Sequence, residues 1–261
     1  MADGPGLSSV RNAARILKAF TVDHKAYGVT ELARALGLST STVHRLLTTL
    51  EIEHLIEKDH RIGKYRLGLA VYDLAAAVAP GFDLSEALLP PMTILRNRTG
   101  ETVQVAVLDG RQVVYIERLD SPHTLRFFAE KQGRRNWAHC TSTGKVLLAF
   151  LAATDRERLF DGWILEPLTP RTITDLGKLT AELERVRDLG FAENNGESDL
   201  AVLSIGAPIR DATGQVIAAL SLAGPVSRME AERTSLRHSV TSAAAVASRR
   251  LGFEQHRTVG Q

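Results

Sequence analysis

The sequence predicts an α+β protein in two parts, an N-terminal winged helix-turn-helix followed by a larger α/β domain. Three observations lead there. Residues 10–52 carry three segments with apolar side chains at helical spacing, and a glycine turn separates the second from the third. Residues 55–68 alternate as two short strands about a basic tip. Beyond residue 100, strand-like alternation and an Asp-Gly turn are mixed with helical segments, the pattern of sheet and helices packed on one another.

In the first part, Val10, Ala13, Ala14, Ile16, Leu17 and Phe20 recur at three and four, so a helix is expected over 10–20 with Ser9 as its N-cap. In a second short helix, Thr30 can cap, Leu32, Ala33 and Leu36 turn inward, and Gly37 supplies the left-handed stop. Leu38 then turns the chain, and Ser39 or Thr40 can cap a longer helix that runs to Ile52.

The faces of that third helix suggest a use. Val43, Leu46, Leu47 and Leu50 make an inward stripe, while Ser41, Thr42, His44, Arg45 and Thr48 stay polar. A helix laid in the major groove reads bases with side chains near its N-terminus. Arginine can pair with guanine through two hydrogen bonds, and Ser or Thr can serve a base or a phosphate. The candidate DNA-binding residues are therefore Ser39, Thr40, Ser41, Thr42, His44 and Arg45, with a double-stranded DNA operator as partner. The hairpin over 55–68 would place Arg61 and Lys64 against backbone phosphates. Helix-turn-helix patterns also occur in helical bundles, and charged hairpins are often plain solvated turns; the order and spacing of the two together is the specific signal.

Residues 69–78 form an apolar, Ala-rich stretch that ends at Pro80-Gly81, expected as a linker or dimerisation helix. A further helix over 84–99 is interrupted by Pro90-Pro91, and strands over 103–108 and 112–117 flank Asp109-Gly110, a hairpin signal. Another strand is expected over 125–129. Helices follow over 143–151 and 174–189, the latter capped by Thr174 and stopped by Gly190. Strands over 201–209 and 216–222 and a last helix over 232–251 complete the reading. The domain boundaries are then 1–68 for the DNA-reading part, 69–82 for the linker helix and 83–261 for the larger domain.

Composition narrows the class. Of 261 residues, 44% are hydrophobic and 24% charged, as in ordinary soluble domains. No apolar run reaches the roughly 18 residues that span a bilayer, and residues 1–9 lack the blocks of a signal peptide, so a cytoplasmic protein without a membrane partner is expected. The lone Cys140 allows no internal disulfide and no thiolate zinc site, and no metal or cofactor is expected. The net charge is only +2, with the whole excess in the first eighty residues.

Catalysis finds little support. Gly144-Lys145 superficially resembles a phosphate loop, but Val146 stands where Ser or Thr would hold magnesium and the earlier glycine is missing. His139 and Cys140, if extended, point to opposite faces without an orienting acid, and Cys140 reads as a buried, inert thiol. No enzyme activity is expected; the alternative is a small-molecule-binding enzyme with an appended DNA-binding module, using His139, Cys140 and Lys145. The better reading is a ligand site. Ser142 and Thr143 open a helix, and their N–H groups could hold a carboxylate at its positive end.

The segments 29–33, 36–38, 41–47 and 65–68, together with 139–149 (HCTSTGKVLLA), 207–211 (APIRD) and 218–225 (AALSLAGP), resemble the IclR family of bacterial transcriptional regulators across nearly the whole chain. The resemblance implies a GAF-like effector-binding fold for the larger domain, a small-molecule effector, and assembly as a homodimer or tetramer that repositions the reading helices. Repression and activation are both compatible with it. It also implies that Phe128, Asn194, Ser204, Ser221 and Ala223 join Ser142 and Thr143 in effector binding. Two departures stand out. A lysine common before the Ser-Thr of the reading helix is replaced by Thr40. Where relatives that bind small keto acids carry an acid, a thiol and a hydroxyl, this chain has Asn194, Ser204 and Ala223, which implies a larger or aromatic acid as effector.

Overall fold

The computed structural model describes residues 6–21, 24–78, 84–123 and 135–254. The chain forms two compact units, Met1–Asp83 and Leu84–Gln261.

In the first unit, helices α1 (Ser8–Ala19), α2 (Val29–Leu36) and α3 (Thr40–Ile52) enclose a core of Ile16, Phe20, Leu32, Val43, Leu47, Leu50, Ile56 and Tyr65. Strands β1 (Ile56–Asp59) and β2 (Lys64–Leu67) pair antiparallel as the wing. The stops and starts have local causes. Gly37 adopts φ +65° after α2, which a residue with a Cβ would resist, and Ser39 Oγ accepts the Thr42 N–H at 3.1 Å to start α3. Two caps differ from expectation. Gly28 rather than Thr30 precedes α2, with the Glu31 carboxylate accepting the Gly28 N–H at 2.8 Å. Ser9 lies inside α1, which starts one residue earlier. Helix α4 (Ala70–Val78) leaves Leu69 and Tyr72 largely exposed beside it.

The second unit is built on a six-stranded antiparallel sheet in the order β5-β4-β3-β8-β7-β6. These strands are β3 (Thr102–Asp109), β4 (Gln112–Leu119), β5 (Arg135–Trp137), β6 (Ala192–Asn195), β7 (Val202–Arg210) and β8 (Val216–Pro225). The Asp109-Gly110 hairpin is present as a two-residue loop between Asp109 and Gln112. On one face Val103, Val105, Leu203, Ile205, Leu220 and Leu222 meet Leu88, Met92 and Leu95 of α5 (Leu84–Thr99) and Leu236, Val240 and Ala244 of α10 (Arg233–Arg250). On the other face lie α6 (Ser142–Ala149), α7 (Ala153–Phe160) and α8 (Leu176–Leu189), their core formed by Val146, Leu148, Trp163, Leu179, Leu183 and Val186. A short α9 (Val226–Met229) follows β8.

Helix α5 runs unbroken through Pro90 and Pro91, against the expected interruption. Pro90 cannot donate to the carbonyl four residues back, that of Glu86, and Arg250 Nη2 takes its place at 3.1 Å. Helix α8 starts after Asp175, whose Oδ1 accepts the Lys178 N–H at 2.8 Å, rather than after Thr174. Residues 192–195, between the helix expected to end at 189 and the strand expected from 201, form β6. The strand expected over 125–129 lies outside the described residues, as does Phe128.

Candidate DNA-reading face and effector site

Helix α3 divides as its sequence divides. Val43, Leu47 and Leu50 are buried, while Ser39, Thr40, Ser41, His44, Arg45, Thr48 and Thr49 are exposed and Thr42 half-buried. Ser39 is the organiser of the helix start rather than a free hydroxyl. Besides capping, its Oγ lies 3.0 Å from Ser41 Oγ and 2.8 Å from Thr42 Oγ1. Thr48 Oγ1 donates back to the His44 carbonyl at 3.0 Å, which leaves His44 and Arg45 as the long side chains of the outward face. On the wing, the Arg61 side chain is 90% exposed, and its Nε lies 3.6 Å from Asp59 Oδ1. Lys64 differs. Its Nζ lies 2.9 Å from Glu31 Oε1, an ion pair between β2 and α2 that holds the Glu31 carboxyl below the usual carboxylate range.

In the sheet of the second unit, register brings the candidate residues together. Residues directly opposite on neighbouring strands share a face. Asn194 pairs with Ser204, Ser204 with Ala223, and Ala223 with Thr102, which makes one cross-strand row. The adjacent row runs Ala192, Gly206, Ser221, Gln104 and Arg118. Both rows face α6. Ser142 Oγ lies 2.9 Å from Ser204 Oγ, and a Cβ on Gly206 would come within 2.9 Å of the Ser142 carbonyl carbon and 3.1 Å of the Thr143 N. The absence of a side chain at Gly206 thus lets the first turn of α6 rest directly on the sheet.

The start of α6 is fixed from behind. Thr141 Oγ1 accepts the Gly144 N–H at 3.1 Å and the Thr141 carbonyl accepts the Lys145 N–H at 2.9 Å, while Ser142 and Thr143 contribute first-turn N–H groups with no acceptor among the described residues. Thr143 Oγ1 is buried without a hydrogen-bond partner of good geometry; the nearby Tyr115 phenol interacts with it, and burial pushes that phenol's pKa up. Asn194 serves the loop after β6. Its Oδ1 accepts the Glu197 N–H at 2.8 Å and its Nδ2 donates to Ser198 Oγ at 2.8 Å.

Lys145 and Cys140 occupy structural places. Lys145 Nζ, buried, meets Glu197 Oε1 at 2.6 Å and Glu182 Oε1 at 3.3 Å. Residues 138–140 form a single 3-10 turn, not the extended segment expected. Burial pushes the Cys140 thiol up to about 12, and the thiol donates weakly to the Trp137 carbonyl at 3.5 Å. Burial also lowers the pKa of His139, whose Nε2 lies 3.0 Å from the Glu166 carbonyl oxygen. Burial of this kind disfavours the thiolate, the nucleophilic form of a cysteine. Among the described residues no His, Cys, Asp and Glu side chains gather in a group able to hold a metal ion, and no helix is long and apolar enough to cross a membrane.

Residues 9–60 match the IclR helix-turn-helix domain, and residues 76–249 match the C-terminal domain of bacterial transcriptional regulator IclR. The chain belongs to the IclR family. It is a DNA-binding transcriptional regulator of the IclR type. The transcriptional regulator XynR of Escherichia coli is 33% identical over 95% of this chain and 99% of its own length. KdgR of the same species is 34% identical over 87% and 86%. Among solved structures, an IclR homologue from Microbacterium hydrocarbonoxydans, complexed with 4-hydroxybenzoate, superposes with a TM-score of 0.81 at 28% identity, covering 94% of this chain and 99% of that one. The Thermotoga maritima IclR gives a TM-score of 0.73 at 25% identity over 95% and 100%.

Of the expected effector residues, Ser142 and Thr143 from the helix start and Asn194, Ser204, Ser221 and Ala223 from the IclR resemblance are within the described residues, and all six lie on the two rows or the helix start above them. Thr102, Gln104 and Arg118 extend the same rows and were not anticipated. For Thr102 and Gln104 the signal was present in Thr102-Val103-Gln104-Val105, where polar side chains alternate with apolar ones on a strand that is buried on both faces.

Proposed function

We propose that this IclR-family protein reads an operator with α3 and releases or reshapes that contact when a small organic carboxylate binds between α6 and the sheet. Ser39 holds the α3 N-terminus in shape, and Thr40, Ser41, Thr42, His44 and Arg45 face base edges and adjacent phosphates. Arg61 and Lys64 of the wing meet backbone phosphates. The carboxylate is received by the Ser142 and Thr143 N–H groups at the positive end of α6, with Thr143 Oγ1 as a further donor. Ser204 and Ser221 line the sheet side, the Ala223 methyl leaves that side uncrowded, and Asn194 holds the 196–201 loop beside them. The observation that carries this reading is the row of polar side chains on an otherwise apolar sheet, placed under the first turn of α6 with the buried Thr143 hydroxyl, which makes no hydrogen bond of good geometry. The methyl of Ala223 and the amide of Asn194 favour an aromatic acid over a small keto acid, in keeping with the 4-hydroxybenzoate held by the Microbacterium homologue.

The working unit is a homodimer or tetramer, supported by the exposed apolar side chains of Tyr72 and Leu74 on α4 and of Leu69 just before it. The protein acts in the cytoplasm and carries no catalytic activity. A gel shift on DNA from upstream of its own coding sequence, with nonspecific competitor and with or without 4-hydroxybenzoate or glyoxylate, tests the reading. Competitor-resistant binding that changes with the aromatic acid is expected; a response to glyoxylate alone contradicts it.

A further inference from the structure

Glu197 ties the loop after β6 to the start of α6. Its Oε1 meets the buried Nζ of Lys145 at 2.6 Å, while its Oε2 is buried and makes no hydrogen bond of good geometry. Lys145 is shared with Glu182 of α8 at 3.3 Å, and Glu182 is itself paired with Arg185. Burial is the largest reason that the Glu197 carboxyl sits above the usual carboxylate range in spite of Lys145, so the pair is close to balance. Both charges lie beside the turn that leads into α6, since both act on the Cys140 thiol, and helical side chains such as that of Lys145 lean toward the N-terminus.

The loop that carries Glu197 is closed on itself. The Gly196 N–H donates to the Val202 carbonyl at 2.9 Å and the Val202 N–H to the Asp199 carbonyl at 3.0 Å, while Asp199 Oδ1 accepts the Ala201 N–H at 2.9 Å. Residues 196–201 can therefore shift as one body. Thr169 and Thr172 brace it from outside through the Gly196 and Glu197 carbonyls, at 2.6 Å each. At the far end the Ala201 carbonyl accepts the N–H of Val226, the first residue of α9, at 2.9 Å. Arg228 of α9 donates to both oxygens of the buried Glu101, at 2.5 and 2.7 Å, just past the end of α5. Met229 of α9 joins the core that holds Leu88, Met92 and Leu95 of α5.

We propose that the Lys145–Glu197 pair is a strap that couples the start of α6 to α9 and α5, and that an anion arriving at the α6 N–H groups loosens it by drawing on the same lysine charge. This rests on the carboxylate site proposed above. The incoming carboxylate and Glu197 carry like charge, and both Lys145 and Glu197 are buried, where charges act on one another far more strongly than in water. Once Glu197 loosens, the loop is still held at its Ala201 end, so its shift passes to Val226 and on to the Arg228–Glu101 clasp.

The test is hydrogen exchange by mass spectrometry on the full-length protein, together with operator binding and calorimetry with and without 4-hydroxybenzoate, for the wild type, Glu197→Gln and Glu101→Gln. Without acid, Glu197→Gln should speed exchange about tenfold, the worth of one charged hydrogen bond, in residues 142–147, 196–202 and 226–230 together while 179–189 stay as in the wild type. Its operator affinity without acid should move toward the value that the wild type shows with acid, and it should bind the acid at least as tightly as the wild type. Glu101→Gln should speed exchange in 226–230 and not in 142–147, and should bind the acid within about twofold of the wild type with a smaller response on DNA. Faster exchange confined to 196–202, or a Glu197→Gln protein that responds to the acid as the wild type does, overturns the strap and leaves the carboxylate site standing. If the wild type binds no 4-hydroxybenzoate, the carboxylate site and the trigger fall together, and the exchange pattern alone decides the coupling.

Discussion

Lys64 Nζ lies 2.9 Å from Glu31 Oε1, so one of the two wing cations is already paired with a carboxylate of the helix-turn-helix. To reach a phosphate, Lys64 must exchange one anion for another, whereas Arg61 needs only to leave a loose contact at 3.6 Å. Surface pairs of this kind are weak, and the exchange is feasible. The two residues should nonetheless differ in salt dependence. Arg61→Ala should flatten the slope of log affinity against log salt by about 0.9, one phosphate's worth, and Lys64→Ala by less. In a Glu31→Gln background the effect of Lys64→Ala should rise toward that of Arg61→Ala. Fluorescence anisotropy over a salt series measures all five slopes, those of the wild type, the three single variants and the Glu31→Gln/Lys64→Ala double variant.

Arg45 is exposed on the outward face of α3, past the Ser39 cap. Arg45→Ala should cost about 1–3 kcal/mol on the operator and relax the preference at one base pair, with little loss on random DNA. Equal losses on both would place Arg45 on phosphate instead. Competition binding against a panel of single-base operator variants separates the two.

Gly206 lies under the start of α6 because no Cβ intervenes. Gly206→Ala must push the first turn away from the sheet, since the new carbon would sit 2.9 Å from the Ser142 carbonyl carbon. A loss of about 1–3 kcal/mol in urea unfolding is expected, as for overpacked cores. The response to acid should fall more than the affinity for DNA.

Glu193 of β6 is clasped by Arg233 and Arg237 of α10, with closest distances of 2.6 Å to each. Burial alone would raise its pKa, but the two guanidinium groups outweigh burial and hold the carboxyl at about 2. A carboxyl with a depressed folded pKa stabilises above its unfolded value near 4.5 and loses that contribution as pH falls toward 2. Glu193→Gln should therefore melt lower than the wild type at pH 7, and the gap should narrow between about pH 4.5 and 2. Thermal melts across that range test the sign.

Much of this was legible in the residues, and the exceptions have physical reasons. Gly37 and Ser39 announce the helix-turn-helix because a left-handed stop and a side-chain cap are local events. Asp109-Gly110 announces its hairpin for the same reason. Residues 192–195 lack β-branched side chains and read as loop, yet pairing with β7 makes them a strand. Pro90-Pro91 reads as a break, but Arg250, 160 positions later, supplies the missing donor for Glu86. Of the candidate effector residues, Ser142 and Thr143 were legible as a helix start, while Asn194, Ser204, Ser221 and Ala223 came through family likeness. Its rows are a matter of register, which links Asn194 to Thr102 and Ala192 to Arg118 across strands far apart in sequence, and Gln104 and Arg118 were missed on that account.

The most direct test measures operator affinity with and without 4-hydroxybenzoate for the wild type, Arg45→Ala and Thr143→Val, alongside calorimetric binding of the acid. Arg45→Ala should lose operator affinity and still bind the acid, while Thr143→Val should keep operator affinity and lose the response. If Thr143→Val responds to the acid as the wild type does, or if both variants lose operator affinity alike, the division between a reading helix and an effector site under α6 is wrong.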